Sequence, residues 1–136
     1  MITRTVDAKT YAFSYDAENH LVAVSGDAAA EFVYNGDGQR VVATEGITTT
    51  TIFIGGYFEW QITSQQGVTT TRAVKYYYAG GVRLAMQRGA EGVKFTLGDH
   101  LGSASMVLNA DGSLHGAQGY TPWGDTRFVE GEIDTR

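Results

Sequence analysis

The chain has 136 residues, 43% hydrophobic, 18% charged and 12% aromatic, with a formal net charge of −5. This composition is typical of a folded domain, and its acidic balance argues against a nucleic-acid partner. The absence of cysteine excludes disulfides and cysteine-ligated zinc. No apolar run approaches the roughly 18 residues of a membrane span. Residues 1–11 lack the apolar core of a signal peptide.

The high counts of glycine and tyrosine indicate which secondary structure to expect. The chain contains 18 glycines, 8 tyrosines and one proline. Glycine suits turns that need positive φ, and tyrosine favours strands. The best helical candidate, residues 27–32, is too short to form an independent helix. We therefore predict an all-β chain with many tight turns.

In chain order, strand–turn–strand units are predicted over residues 11–24, 31–43, 51–62, 74–86 and 93–108, with a sixth unit starting at Gly119. The residues just before the turns lie 19 to 24 positions apart and are Tyr15, Tyr34, Ile54, Tyr78, Leu97 and Tyr120. A unit of this length holds two ordinary strands and two turns. Such a unit must stack beside its neighbours to bury an apolar face.

The turn residues support hairpins at these positions. Asn35-Gly36 is a strong signal for a two-residue type I′ turn, although Asp37-Gly38 directly after it also allows a four-residue loop around a type I turn. Gly55-Gly56 and Gly80-Gly81 meet the same need for positive φ. Residues 109–112 read as another turn.

The turn sequences resemble the tyrosine–aspartate (YD, or RHS) repeat, in which Tyr-Asp precedes a short spacer and an aliphatic residue. Residues 34–41 are similar to the Tyr-Asp-Gly-x-Gly-Arg-Val form, with Asn in place of Asp and the Arg shifted by one residue. Residues 77–83 are a weaker copy. The matching positions are Tyr15, Asp16, Leu21, Tyr34, Gly36, Gly38, Arg40, Tyr78, Gly80, Gly81 and Arg83.

A later segment resembles the RHS-associated core segment in both order and spacing. Its first block is Asp99, His100, Leu101, Gly102 and Ser103. A short strand and Asp111-Gly112 follow, and the last block is Tyr120, Thr121, Pro122, Trp123 and Gly124.

The resemblance implies a fold and a role. Family members build spiralling β-sheets, which in many bacterial members close into a hollow shell around a C-terminal toxin. We therefore expect consecutive antiparallel β-hairpin repeats of about 20 residues in an extended twisted sheet, a fragment of a β-spiral shell. Residues 1–136 would be one module, with 99–124 as the core segment and 129–136 as a frayed tail. The family's self-cleavage site needs a proline just after an aspartate, whereas Pro122 follows Thr121.

The expected function is a non-catalytic structural module of a larger bacterial protein that is secreted or displayed at the cell surface. Its partners would be the rest of the shell and the C-terminal cargo. Open strand edges also predict self-association with another copy. No cofactor and no nucleic-acid partner are expected.

An alternative function is carbohydrate or cell-surface binding by exposed aromatic rings. The stacking candidates are Tyr57, Trp60, Tyr76 and Trp123. In repeat proteins such rings more often form ladders between adjacent strands.

The sequence contains side chains that could form a hydrolase triad or a metal site, and each set also has a structural interpretation. Asp99, His100 and Ser103 contain the side-chain types of a hydrolase triad, but they sit within five residues and lack a nucleophile elbow. The structural interpretation is that Asp99 caps or closes a turn. His20 and His115, like His100, lack the spacing of metal ligands.

Overall fold

A computed structural model of the chain describes residues 1–46, 48–99 and 103–133. These residues form antiparallel strands and turns, and no helix among them is long and apolar enough to span a membrane. The all-β hairpin prediction is therefore confirmed. His100, Leu101 and Gly102 of the core segment, and the end of the expected tail, lie outside the described residues.

Consecutive strands are neighbours in chain order. The described strands are β1 (Ile2–Val6), β2 (Lys9–Tyr15), β3 (Leu21–Gly26), β4 (Ala30–Tyr34), β5 (Arg40–Glu45), β6 (Thr49–Ile54), β7 (Phe58–Gln65), β8 (Val68–Ala79), β9 (Val82–Arg88), β10 (Lys94–Gly98), β11 (Ala104–Leu108), β12 (Leu114–Tyr120) and β13 (Thr126–Gly131).

The chain divides into two compact units, residues 1–73 and 74–136, and β8 contributes residues to both. In the first unit, Phe32 of β4 pairs with Ala43 of β5, which is 2% exposed. Glu59 of β7 lies opposite Phe53 and is also buried, whereas its neighbour Trp60 is 38% exposed. A carboxylate thus occupies the buried side of β7.

The second unit has a more continuous apolar core. Val74, Tyr76 and Met86 form one buried cluster, in which Tyr76 lies opposite Met86 across β8 and β9. Val107 of β11 is fully buried and lies opposite Thr96 of β10. The core therefore follows one face of this unit, as period-2 alternation along each strand requires.

β13 occupies part of the segment that was expected to fray. Residues 129–131 pair with residues 116–118 of β12. The approach is close, because a Cβ added to Gly116 would lie 2.1 Å from the Glu132 carbonyl oxygen. Glycine at this position lets the two backbones meet, although the polar and acidic residues of 129–136 suggested fraying.

Two further turns were not predicted from the sequence. Asp7 (φ 49°) and Ala8 (φ 63°) join β1 to β2, and Gln66 (φ 51°) and Gly67 (φ 79°) join β7 to β8. Positive φ at both central residues is the mark of a type I′ turn, whose twist matches that of the flanking strands. Ala8 adopts this conformation without the freedom of glycine.

We predict that Ala8→Gly stabilises the chain by about 0.5–1 kcal/mol, because the left-handed backbone at residue 8 strains a side chain with a Cβ. Urea unfolding of both proteins measures the change in the free energy of unfolding. Ala12→Gly, in the middle of β2, is the matched control and should destabilise the chain. Equal loss of stability in both variants would contradict the turn geometry.

Candidate functional site

The most regular feature of the chain is a five-residue turn between consecutive strands. The N–H of its first residue donates to the carbonyl of its fifth residue over 2.8–3.0 Å. The turns span residues 16–20, 35–39, 109–113 and 121–125, and the same bond joins Asp99 to Ser103, between which residues 100–102 lie outside the described part of the chain. A register shift lies at or next to the residue before each turn. The same loop and bulge are thus reused along the chain.

A second backbone bond closes each fully described turn, from the N–H of the fourth residue to the carbonyl of the first, as in Gly38 N–H to Asn35 O at 3.0 Å. The fourth residue takes positive φ, and it is Asn19, Gly38, Gly112 or Gly124. Gly36 is not among the residues with positive φ. Residues 35–38 therefore form the type I alternative and not the two-residue type I′ turn, and Gly38 has the left-handed conformation of a G1 bulge.

Except in the turn at residues 109–113, where Asp111 Oδ1 accepts the N–H of Ser113, the first residue of the turn caps it with a side-chain oxygen. Asp16 Oδ1 accepts the N–H of His20 at 2.8 Å, and Asn35 Oδ1 accepts the N–H of Gln39 at 2.9 Å. Asp99 Oδ1 accepts the N–H of Ser103 at 2.9 Å. Thr121 Oγ1 plays the same part for residue 125 at 3.1 Å. The carboxylate of the Tyr-Asp signature therefore replaces water at an otherwise unpaired amide.

The tyrosine before the turn reaches back to the preceding hairpin. Tyr34 Oη donates to the Leu21 carbonyl over 2.9 Å, and Tyr120 Oη donates to the Ala104 carbonyl over 3.3 Å. Leu21 pairs with Tyr15, and Ala104 pairs with Gly98, so each carbonyl belongs to a residue at the start of a return strand. We call this contact the tyrosine clamp. The clamp connects the last residue of one strand to the first residue of the neighbouring strand, β4 to β3 and β12 to β11.

His20 joins two successive turns, a role that the sequence did not reveal. Its Nδ1 lies 3.1 Å from Asp16 Oδ2, and its ring stacks on Tyr34 with centroids 4.7 Å apart. A Cβ added to Gly38 would lie 3.0 Å from His20 Nε2, so the histidine fills the space beside the next turn. The Asp-x-x-x-His spacing across the turn was the available signal.

The signature arginines lie against aromatic rings. The Arg40 guanidinium lies 5.3 Å from the Phe32 ring and 5.1 Å from the Phe53 ring, which belong to the strands on either side. Arg83 lies 5.3 Å from the Tyr76 ring. These are cation–π distances. Both arginines therefore stabilise contacts between strands.

The described part of the core segment lines an open groove of about 1080 Å³ in the second unit. Tyr120, Gln118 and the Ala104 carbonyl form a hydrogen-bonded group there, and the Tyr120 hydroxyl contacts the Gln118 amide directly. Pro122 and Gly124 are on the rim. Asp99 takes part as a cap, and His100 of the candidate triad lies outside the described residues.

The stacking candidates differ in their burial and in their contacts. Tyr76 is 9% exposed, so the expectation of an exposed ring does not hold for it, because it packs on Val74 and Met86. Trp60 stacks on Phe58 with centroids 6.4 Å apart, which is a contact within β7. Tyr57 covers the turn at Gly55 and is 61% exposed. Trp123 is 90% exposed, on the turn at residues 121–125.

His20 and His115 have separate surroundings. Lys94 Nζ lies 3.0 Å from His115 Nε2, and Glu132 Oε2 lies 3.8 Å from the same nitrogen. Within residues 1–46, 48–99 and 103–133, no group of three or more His, Cys, Asp or Glu side chains is placed to hold a metal ion.

The Asp16 cap makes stability depend on pH. The N–H of His20 lowers the pKa of Asp16 below its ordinary value of 3.8, with further help from the His20 side chain. A lowered carboxylate pKa contributes stability above the unfolded pKa, and this is lost as the pH falls through the folded pKa.

We predict that Asp16→Asn reduces the loss of stability between neutral pH and about pH 2.5, because an amide oxygen caps the turn without titrating. Asn35→Asp should enlarge the same loss. Urea unfolding across this pH range gives the free energy of unfolding for each protein. The same pH dependence of the free energy of unfolding in the unchanged chain, Asp16→Asn and Asn35→Asp would contradict the hydrogen bonds described for the Asp16 carboxylate.

We predict that Tyr34→Phe lowers the free energy of unfolding by about 1 kcal/mol, the usual value of one hydrogen bond, because the Leu21 carbonyl loses its donor. Tyr15→Phe is the control, since Tyr15 makes no hydroxyl bond among the described residues. Thermal and urea unfolding measure both. Equal effects of the two substitutions would contradict the clamp.

No protein-family model and no curated protein matches the sequence. Solved structures do match in fold. The chain is similar to chains in the crystal structures of TcdB2-TccC3 (TM-score 0.72, 16% identity, 96% of this chain) and TcdB2-TccC3-Cdc42 (TM-score 0.70, 16% identity, 92% of this chain). It spans 7% of the length of the chains that it matches. These likenesses support an RHS-like fold.

Proposed function

We propose that the chain is a non-catalytic structural repeat module of a larger bacterial RHS/YD-repeat protein, which scaffolds or encloses a C-terminal toxin domain. One observation carries the proposal. The capped turn recurs with the same hydrogen bonds, and the tyrosine clamp connects hairpins in both units. A stacking unit of this kind extends by repetition, because each hairpin needs its neighbour for burial.

The use of polar side chains supports a structural role for the core segment. The Asp99 carboxylate accepts the Ser103 N–H, and the Tyr120 and Gln118 side chains bind the Ala104 carbonyl. A hydrolase needs its nucleophile, base and carboxylate to be aimed at one another. Here the described polar groups close turns and join strands.

The comparisons support the proposal at the level of fold. The chains in the TcdB2-TccC3 structures share the fold over most of this chain's length, and this chain equals 7% of theirs. A short stretch of capped hairpins is thus compatible with a much larger sheet. We further propose that the parent protein is secreted or displayed at the cell surface.

Carbohydrate binding has weaker support than the structural role. Aromatic recognition of sugars needs several rings on one accessible face beside polar groups. Tyr76 is buried and Trp60 is engaged with Phe58. Trp123 and Tyr57 are exposed, and each lies on a different turn.

Limited proteolysis of the full-length protein tests the enclosure. We expect its C-terminal domain to survive protease while the shell is intact, and Tyr34→Phe combined with Tyr120→Phe to shorten that protection, because both clamps are lost. Tyr15→Phe is the matched control and should leave protection unchanged.

Digestion of the C-terminal domain at the rate seen for that domain alone would contradict enclosure. A mass loss of the full-length protein during long incubation that disappears in Ser103→Ala would contradict the non-catalytic role.

A further inference from the structure

The first and last strands in the sheet order, β1 and β13, carry side chains of opposite charge, which the proposed function does not require. β1 pairs with β2, and β13 pairs with β12, and each leaves its other side open in the described structure. We propose that β1 of one copy pairs antiparallel with β13 of a second copy, with Arg4 opposite Glu130. Each open strand edge is therefore proposed to bind a second copy of this chain.

The hydrogen bonds already made by β2 define the open side of β1. The Asp27 N–H bonds to the Thr10 carbonyl, so Thr10 directs its backbone groups towards β3. Direction alternates along a strand. Tyr11 therefore bonds to its partner Arg4 in β1, and the N–H and C=O of Thr5 point to the open side.

The same reasoning defines the open side of β13. The Glu132 N–H bonds to the His115 carbonyl over 3.3 Å, so this residue faces β12. By alternation Glu130 and Phe128 also face β12 with their backbone groups. The N–H and C=O of Val129, which lies between them, point to the open side.

Registers that differ by two residues satisfy both backbone patterns, and the side chains select among them. Placing Arg4 opposite Glu130 puts Thr5 opposite Val129, and these are the residues whose backbone groups are free to exchange two hydrogen bonds. Arg4 and Glu130 then form a pair without backbone bonds, whose side chains approach more closely. A shift of two residues in one direction would place Arg4 opposite Phe128 and lose the ion pair, and a shift in the other direction would place Val6 opposite Glu130 and lose the apolar pair.

The side chains agree with this register. Arg4 and Glu130 are both exposed, and neither forms an ion pair in the part of the chain that the structure describes. Val6, 39% exposed, comes opposite Phe128, 53% exposed. One complementary charge pair and one apolar pair thus lie on the same face of the proposed contact.

The geometry also limits the strength and form of the association. Strands of five and six residues bury much less than the roughly 1,200 Å² of a stable interface, so the pairing is weak. Different edges meet, which makes the contact heterologous, and such contacts grow into chains or rings.

Sedimentation of the chain from about 10 µM to about 1 mM tests the pairing. We expect the average mass to rise with concentration and to fall back to the monomer in Arg4→Glu and in Glu130→Arg, because each places like charges opposite each other. An equimolar mixture of the two variants should associate again, since each then offers the charge that the other lacks. The double variant should also associate.

Arg72→Glu and Glu31→Arg are matched controls, because both are exposed changes of the same net charge on inner strands. They should associate as the unchanged chain does. Circular dichroism checks that each variant is folded.

Hydrogen exchange at high concentration checks the register. The amides of Thr5 and Val129 should become protected on association, whereas those of Arg4 and Glu130, already bonded within each copy, should not change. A monomer at about 1 mM would overturn the proposal. Association that persists in both single variants, or protection that does not include Thr5 and Val129, would overturn it equally.

Discussion

A side-chain oxygen at the first position of a five-residue turn is the constraint on which the rest of the sheet depends. Asp16, Asn35, Asp99 and Thr121 each hold the amide of the fifth turn residue. The cap fixes the loop length, and the loop length fixes the register of the two strands. A shift of the register by one residue would move every side chain of the return strand to the other face, including the residues that form the core.

The tyrosine clamp extends this local order to the neighbouring hairpin. A hairpin alone is marginal in water, because its apolar face stays exposed. Tyr34 and Tyr120 each bind a carbonyl in the strand beside them, and His20 adds a ring contact between two turns. The proposed scaffold follows from this arrangement, since the polar signature residues are used to join hairpins.

The sequence predicted the hairpins where a glycine pair, Asp-Gly or Tyr-Asp marked a turn, but it missed the turn at Gln66-Gly67, and other features depend on longer-range packing. Asp7-Ala8 was missed because alanine seldom adopts positive φ, and β13 because its pairing relies on the close approach at Gly116. Tyr76 reads as a surface ring in an alternating strand, yet Met86 lies opposite it and the two are buried together. Which face of a sheet is covered is a property of the whole unit and not of one strand.

Hydrogen exchange at the fifth turn positions tests the central claim most directly, because these amides depend on the side-chain caps. We predict slow exchange at His20, Gln39, Ser103 and Asp125, comparable to that of adjacent strand amides. Asp16→Ala should accelerate exchange at His20 and leave Gln39 protected by Asn35. Unprotected exchange at all four positions in the unchanged chain, with strand amides still protected, would contradict the account.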